Sequence, residues 1–178
     1  GKLYLSYYAQ AKMLAPVIEK YGQKGKLILV GSSYGGPLCA LLAAQYPDIV
    51  DGLLLISSSI APGEEAIWDI AKVIDSPIGE FFPKVLQVAT AEKLNHKRML
   101  EEIEGEWDKV RCPTIMLHGS ADELIYPSNA SFVFSHFKKA KKSISILGGL
   151  KHNIVVTKPA IVVKKIVELL GNPMVACK

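Results

Sequence analysis

The chain contains no stretch of about 18 uninterrupted apolar residues, the length that crosses a bilayer as a helix, so no membrane span is expected. It has only three cysteines, Cys39, Cys112 and Cys177, and no CxxC pair. That excludes a disulfide framework, and no Cys/His spacing of metal-ligand type suggests zinc. Cys39 and Cys112 read instead as small buried apolar residues of a reduced, cytoplasmic chain. Charge of one sign is also scarce. Lys and Arg number 21 against 17 Asp and Glu, a net charge of +4. This is too mild to point to nucleic acid, and no basic stretch is interleaved with stacking aromatics. The densest basic run, Lys138, Lys139, Lys141 and Lys142, falls where a helix is expected to end, and cations there complement the helix dipole. Neither G-x-G-x-x-G nor GxxxxGK[ST] occurs, so no nucleotide cofactor is expected. The first residues, GKLYLSYYAQ, lack the apolar segment and cleavage site of a signal peptide. With no initiator Met, the chain reads as a piece cut from a longer one.

What is present is a rhythm of short apolar runs and helical patterns. KLILVG, DGLLLISSS (51–59), RCPTIMLHG (111–119) and KSISILGG (142–149) are short apolar runs, as expected of strands buried on both faces of a parallel sheet. Residues 7–20, 34–45, 128–139 and 158–170 have helical spacing, and Gly171 and Pro173 stop the last of them. The alternation predicts one α/β domain over 1–178, with about four parallel strands flanked by helices. Residues 60–110 break the rhythm. They carry Pro62, Pro77 and Pro83 between helical pieces over 64–74 and 90–104, and are expected to form a short helical cap above the strands' carboxyl ends, where open α/β sheets bind ligands. Its apolar residues Ile67, Trp68, Ile70, Ile74, Phe81, Phe82, Val85 and Trp107 suit an acyl pocket, or the packing of the cap onto the domain.

At the end of the first apolar run stands Gly31-Ser32-Ser33-Tyr34-Gly35, which fits G-x-S-x-G. A serine hydroxyl is a weak nucleophile and must project from a sharp strand-to-helix turn toward a base. Side chains two residues before and after would crowd such a turn, so Gly31 and Gly35 suit it, and Gly36 lets the helix pack close. Only Ser33 has glycine on both sides at that spacing, so Ser32 is read as structural. The helix N-terminus adds a positive dipole end, and the Tyr34 N–H is a candidate donor to an oxyanion. A serine nucleophile needs a histidine and usually a carboxylate. Asp122 follows the third run in LHGSADELIYP, and His152 follows the fourth in ILGGLKHNI. The three fall at one edge of a parallel sheet in the order Ser, Asp, His.

Each candidate has a rival. Glu123 neighbours Asp122, which could instead cap the helix near Pro127. His118 reads as a buried or turn-bonding histidine, and His96 and His136 as helix-surface residues. Asp51 sits at the wrong end of its strand, and Asp69 and Asp75 fall in the cap.

Taken together, LILVGSSYGG, VRCPTIMLHGSADELIYP and GGLKHN resemble the α/β-hydrolase superfamily over nearly the whole chain, matching the second half of that fold. The resemblance implies a serine hydrolase of ester or thioester substrates working through an acyl-enzyme, without metal or other cofactor. Ser33 would attack, His152 shuttle the proton, Asp122 orient the imidazole and Tyr34 N–H bind the oxyanion. A C–C bond hydrolase with the same three residues and a non-catalytic binding module are the alternatives. The family's earlier strands and its second oxyanion donor have no counterpart in the 25 residues before the KLILVG run. That run is therefore expected to pair only with the 51–59 strand, leaving an open edge as a template for self-association.

Overall fold

The computed structural model describes residues 6–64, 66 and 83–171. Four strands form one parallel sheet: β1 (Leu27–Ser32), β2 (Val50–Ile56), β3 (Thr114–Gly119) and β4 (Lys142–Leu147), in that spatial order. Around them lie α1 (Tyr7–Gly22), α2 (Gly35–Gln45), α3 (Lys84–Ile103), α4 (Ser128–His136), the single turn α5 (Ile154–Thr157) and α6 (Pro159–Leu169). A 3-10 turn, Glu104–Lys109, follows α3 directly.

The period of two along a strand sorts side chains between the faces. Leu53, Leu55 and Met116 pack on one face with α1, α2, α4, the 3-10 turn and the carboxyl half of α3. Leu54, Ile56, Ile115 and Leu117 pack on the other with α5 and α6, through Ile154, Val162 and Leu169. A strand covered on both faces loses its alternation, and all six residues of β3 are buried, as are all of β2 except Asp51.

The outer strands correct that expectation. Among the described residues β1 pairs only with β2, as anticipated, but it is half-buried rather than buried, and Val30 is 41% exposed. β4, at the opposite edge, is likewise half-buried. β2 stops at Ile56, short of the predicted 59, because Ser57 turns the backbone to φ 44°.

Of the expected cap, the structure describes residues 60–64, 66 and 83–110, which include α3 and the 3-10 turn. Residues 65 and 67–74 of the helix expected over 64–74, together with Phe81, Phe82, Asp75, the Val85 side chain and Cys177, lie outside the described residues, and with them Ile67, Trp68, Asp69, Ile70 and Ile74. Trp107 is not among the residues that line the cavity at Ser33. It is buried in the main core and stacks on Phe137 with ring centroids 5.7 Å apart. Among the described residues no helix is long and apolar enough to cross a membrane.

Candidate active site at the carboxyl edge of the sheet

β1 ends in a tight reversal. Ser33 adopts φ 52°, a left-handed conformation that costs a non-glycine residue energy and persists where the surroundings enforce it. Here they do so from both sides. The Ser33 N–H donates to the Ile56 carbonyl at 3.0 Å, and the Ser33 carbonyl accepts from Gly36 N–H at 3.1 Å and Ser59 N–H at 3.2 Å. A side chain at Gly31 would place its Cβ 2.7 Å from Gly36 Cα and 2.8 Å from the Gly35 carbonyl. Gly35 itself is different. A Cβ there meets nothing within 4 Å, so crowding does not explain that glycine. The close approach belongs to Gly36, where a Cβ would overlap Ser58, whose hydroxyl donates to the Gly31 carbonyl at 3.2 Å.

The loops after β3 and β4 touch each other. The Leu150 carbonyl occupies the space a side chain at Gly119 would need, and it accepts the Ala121 N–H at 3.0 Å. This contact sets Asp122 beside His152. Asp122 is buried, and its Oδ1 accepts from the N–H groups of Leu124 at 3.1 Å and Ile125 at 3.0 Å. Its Oδ2 lies 2.9 Å from His152 Nδ1, and His152 Nε2 lies 3.0 Å from Ser33 Oγ. The structure thus brings Ser33, His152 and Asp122 into one hydrogen-bonded chain. Glu123 is exposed and stays out of it. Tyr34 follows Ser33 as the N-cap residue of α2.

Ser33 opens into a cavity of about 310 Å³, lined also by Tyr34, Ser59, Leu124, Ile125 and, from α3, Glu92 and Lys93. The insertion's helix therefore does reach the site. Among the described residues, no three His, Cys, Asp or Glu side chains converge as metal ligands.

Sequence reasoning misplaced His96. It is not on a helix surface but only 1% exposed, directly behind Tyr34. Its Nε2 lies 3.0 Å from the Ser59 carbonyl and 2.8 Å from Ser59 Oγ, and its Nδ1 lies 3.0 Å from the Tyr7 hydroxyl. A carbonyl only accepts, so the neutral ring carries its proton on Nε2 and accepts from Tyr7 on Nδ1. Burial holds the imidazole down at about 4. The signal was available: His96, Met99, Leu100 and Ile103 share the buried stripe of α3. His136, by contrast, is partly exposed, as expected.

Asn129 was missed altogether. Its side-chain oxygen accepts the N–H groups of Ile60 and Ala61, each at 2.8 Å, and its amide donates to the carbonyls of Glu64 at 2.8 Å and Tyr126 at 2.9 Å. The buried amide ties the start of the insertion to the end of the acid loop. His118 is fully buried at the end of β3 and bonded to the turn that follows, as expected. Burial pushes the thiols of Cys39 and Cys112 up to about 11, which leaves both as unreactive thiols.

Residues 5–98 match a family model described as the alpha/beta hydrolase fold. A thermostable monoacylglycerol lipase of Bacillus sp. (strain H-257) is 30% identical over 155 residues. That alignment takes in 78% of this chain, which spans 61% of the lipase. Among solved structures, the monoacylglycerol lipase of Paleococcus ferrophilus superposes with a TM-score of 0.67 at 21% identity, covering 93% of this chain and 76% of its own. A meta-cleavage product hydrolase from Pseudomonas fluorescens IP01 superposes with a TM-score of 0.65 at 12% identity, covering 96% of this chain and 73% of its own. At those identities the two structures speak to the fold alone.

Proposed function

We propose, for a chain that belongs to the α/β-hydrolase family, a serine hydrolase that cleaves carboxylic esters or thioesters through an acyl-enzyme. The observation that carries this reading is the pair of contacts at His152, 2.9 Å to Asp122 Oδ2 and 3.0 Å to Ser33 Oγ. The carboxylate only accepts, so neutral His152 holds its proton on Nδ1 and presents a lone pair on Nε2 to the serine.

In this reading the Ser33 hydroxyl gives its proton to His152 Nε2 as Oγ bonds to the carbonyl carbon. The carbonyl oxygen takes the negative charge, and the Tyr34 N–H donates to it. Asp122 stays ionised and steadies the imidazolium. When the carbon–leaving-group bond breaks, Nε2–H protonates the departing alcohol or thiol. Water then repeats the sequence: Nε2 takes its proton, hydroxide adds to the acyl carbon, and the returned proton restores Ser33 as the acid leaves. The chemistry uses no cofactor. Leu124 and Ile125 offer the acyl chain an apolar wall, and residues 60–110, whose helix α3 lines the cavity with Glu92 and Lys93, act as the cap above it. The monoacylglycerol lipase relative makes a glycerol ester with a single acyl chain the first substrate to try.

A fluorophosphonate probe, which modifies only an activated serine, tests the reading on the full-length protein. Labelling that disappears in Ser33→Ala, together with release of fatty acid from monoacylglycerol, supports it. Labelling at Ser33 with turnover only of a dienone substrate would make the protein a C–C bond hydrolase. No labelling of the wild type would leave a binding module.

A further inference from the structure

We propose that His118 is a positioning residue for this site, holding the 122–125 turn so that the Asp122 carboxylate stays on His152. The inference rests on the reading of Ser33, His152 and Asp122 as a triad.

β3 is packed on both faces, and His118 is 0% exposed within it. Its Nε2 lies 2.9 Å from the Ile125 carbonyl, an acceptor only, so the proton sits on Nε2. Nδ1 is then a bare lone pair, and it is buried with no hydrogen-bond partner among the described residues. An unpartnered buried nitrogen is unfavourable, and an apolar side chain of similar size would avoid it. What the imidazole contributes in return is its N–H.

That N–H goes to the middle of the acid turn. Ile125 is held at both ends: its N–H by Asp122 Oδ1 at 3.0 Å and its carbonyl by His118 at 2.9 Å. The same Nε2 lies 3.5 Å from Asp122 Oδ2, the oxygen that accepts from His152. Releasing His118 frees the carbonyl end of Ile125, and with it the N–H that fixes the carboxylate. The titratable groups facing His118 are Asp122 and His152. Burial lowers the affinity of His118 for a proton, as does the neighbouring His152. The ring thus stays neutral near pH 7, and the positive charge that forms beside Asp122 during turnover is that of His152 alone.

The test compares His118→Gln, whose amide reaches the place of Nε2, with His118→Asn, which is too short, and His118→Leu, which has no donor. Two quantities are read in each protein: kcat and KM for p-nitrophenyl butyrate, and the His152 imidazole titration followed by ¹⁵N NMR. Leu and Asn should lower kcat about tenfold, with KM within about twofold, and shift His152 to a lower pKa as the carboxylate drifts away. Gln should restore both. Wild-type kcat and an unmoved His152 titration in His118→Leu would overturn the inference, as would a Gln protein as impaired as Leu. If Leu does not fold, the Gln and Asn pair decides. Failure of the triad reading is separate: it appears as absent fluorophosphonate labelling of the wild type, while the His152 titration still reports on His118.

Discussion

The N–H of Ser59 donates to the carbonyl of Ser33 across 3.2 Å, while the carbonyl and hydroxyl of Ser59 both face His96 of α3. The backbone of the elbow is therefore braced by a residue that the insertion's helix holds in place.

This brace should be sensitive to acid. The His96 imidazole is held at about 4 against an ordinary 6.5. Between those values the unfolded chain binds a proton that the folded chain refuses. Stability from this residue is therefore complete above pH 6.5 and is lost as pH falls toward 4. Its full extent is about 3 kcal/mol. His96→Gln should flatten that part of the profile, read as urea midpoints at about pH 7 and about pH 4.5. A variant with the wild-type slope would mean that His96 is not the group responsible.

The glycines of the elbow should separate. Gly36→Ala drives a Cβ into Ser58 and should destabilise by about 1–3 kcal/mol. Gly35→Ala meets open space and should change stability by no more than about 0.5 kcal/mol. Thermal or urea unfolding of the two proteins checks the contrast, and equal losses would contradict it.

Asp122→Asn should reduce kcat by about four orders of magnitude while leaving the melting temperature near that of the wild type. Glu123→Gln should retain activity, since Glu123 is exposed and stays outside the hydrogen-bonded chain. Ester hydrolysis by the two neighbours, side by side, reads the assignment. Activity surviving in the first and lost in the second would move the acid by one residue.

Asn129→Ala removes the acceptor of two backbone N–H groups and the donor to two carbonyls. Unsatisfied buried groups cost about 1–3 kcal/mol each, and partial access of water keeps the sum near 3 kcal/mol. The loss should appear as a lower urea midpoint. A midpoint within about 0.5 kcal/mol of wild type would show that the tie is dispensable.

The parts of the fold legible in the sequence were those set by local pattern. Apolar runs mark the strands, most clearly β2 and β3, which are covered on both faces, and Ser33, Asp122 and His152 stand out as candidates because each follows an apolar run. Burial at the sheet edges was not legible, since Val30 and Leu54 look alike in sequence and differ only in what covers them. His96 was misread because a polar residue was weighed by its type rather than by its place in the stripe with Met99 and Ile103. Asn129 carried no local signal. Its four partners lie between 3 and 69 residues away, and only the folded chain brings them together. The steric account of Gly35 failed for a related reason, because crowding depends on a neighbour, Ser58, contributed by the next strand's end.

Ser57 repeats, one strand over, the backbone of Ser33. The two have φ values of 44° and 52°, at the ends of β2 and β1. Ser57 donates its N–H to the Leu117 carbonyl as Ser33 does to that of Ile56, and its hydroxyl is buried without a partner among the described residues. In a saturation mutagenesis screen both codons should therefore look intolerant, and depletion alone would score Ser57 as though it took part in the chemistry. Glycine separates them. It accepts the left-handed conformation that bulkier residues resist, so Ser57→Gly should survive selection while Ser33→Gly is lost with the hydroxyl. In the proposed mechanism Ser33 serves through its oxygen, whereas Ser57 serves through the bend it allows.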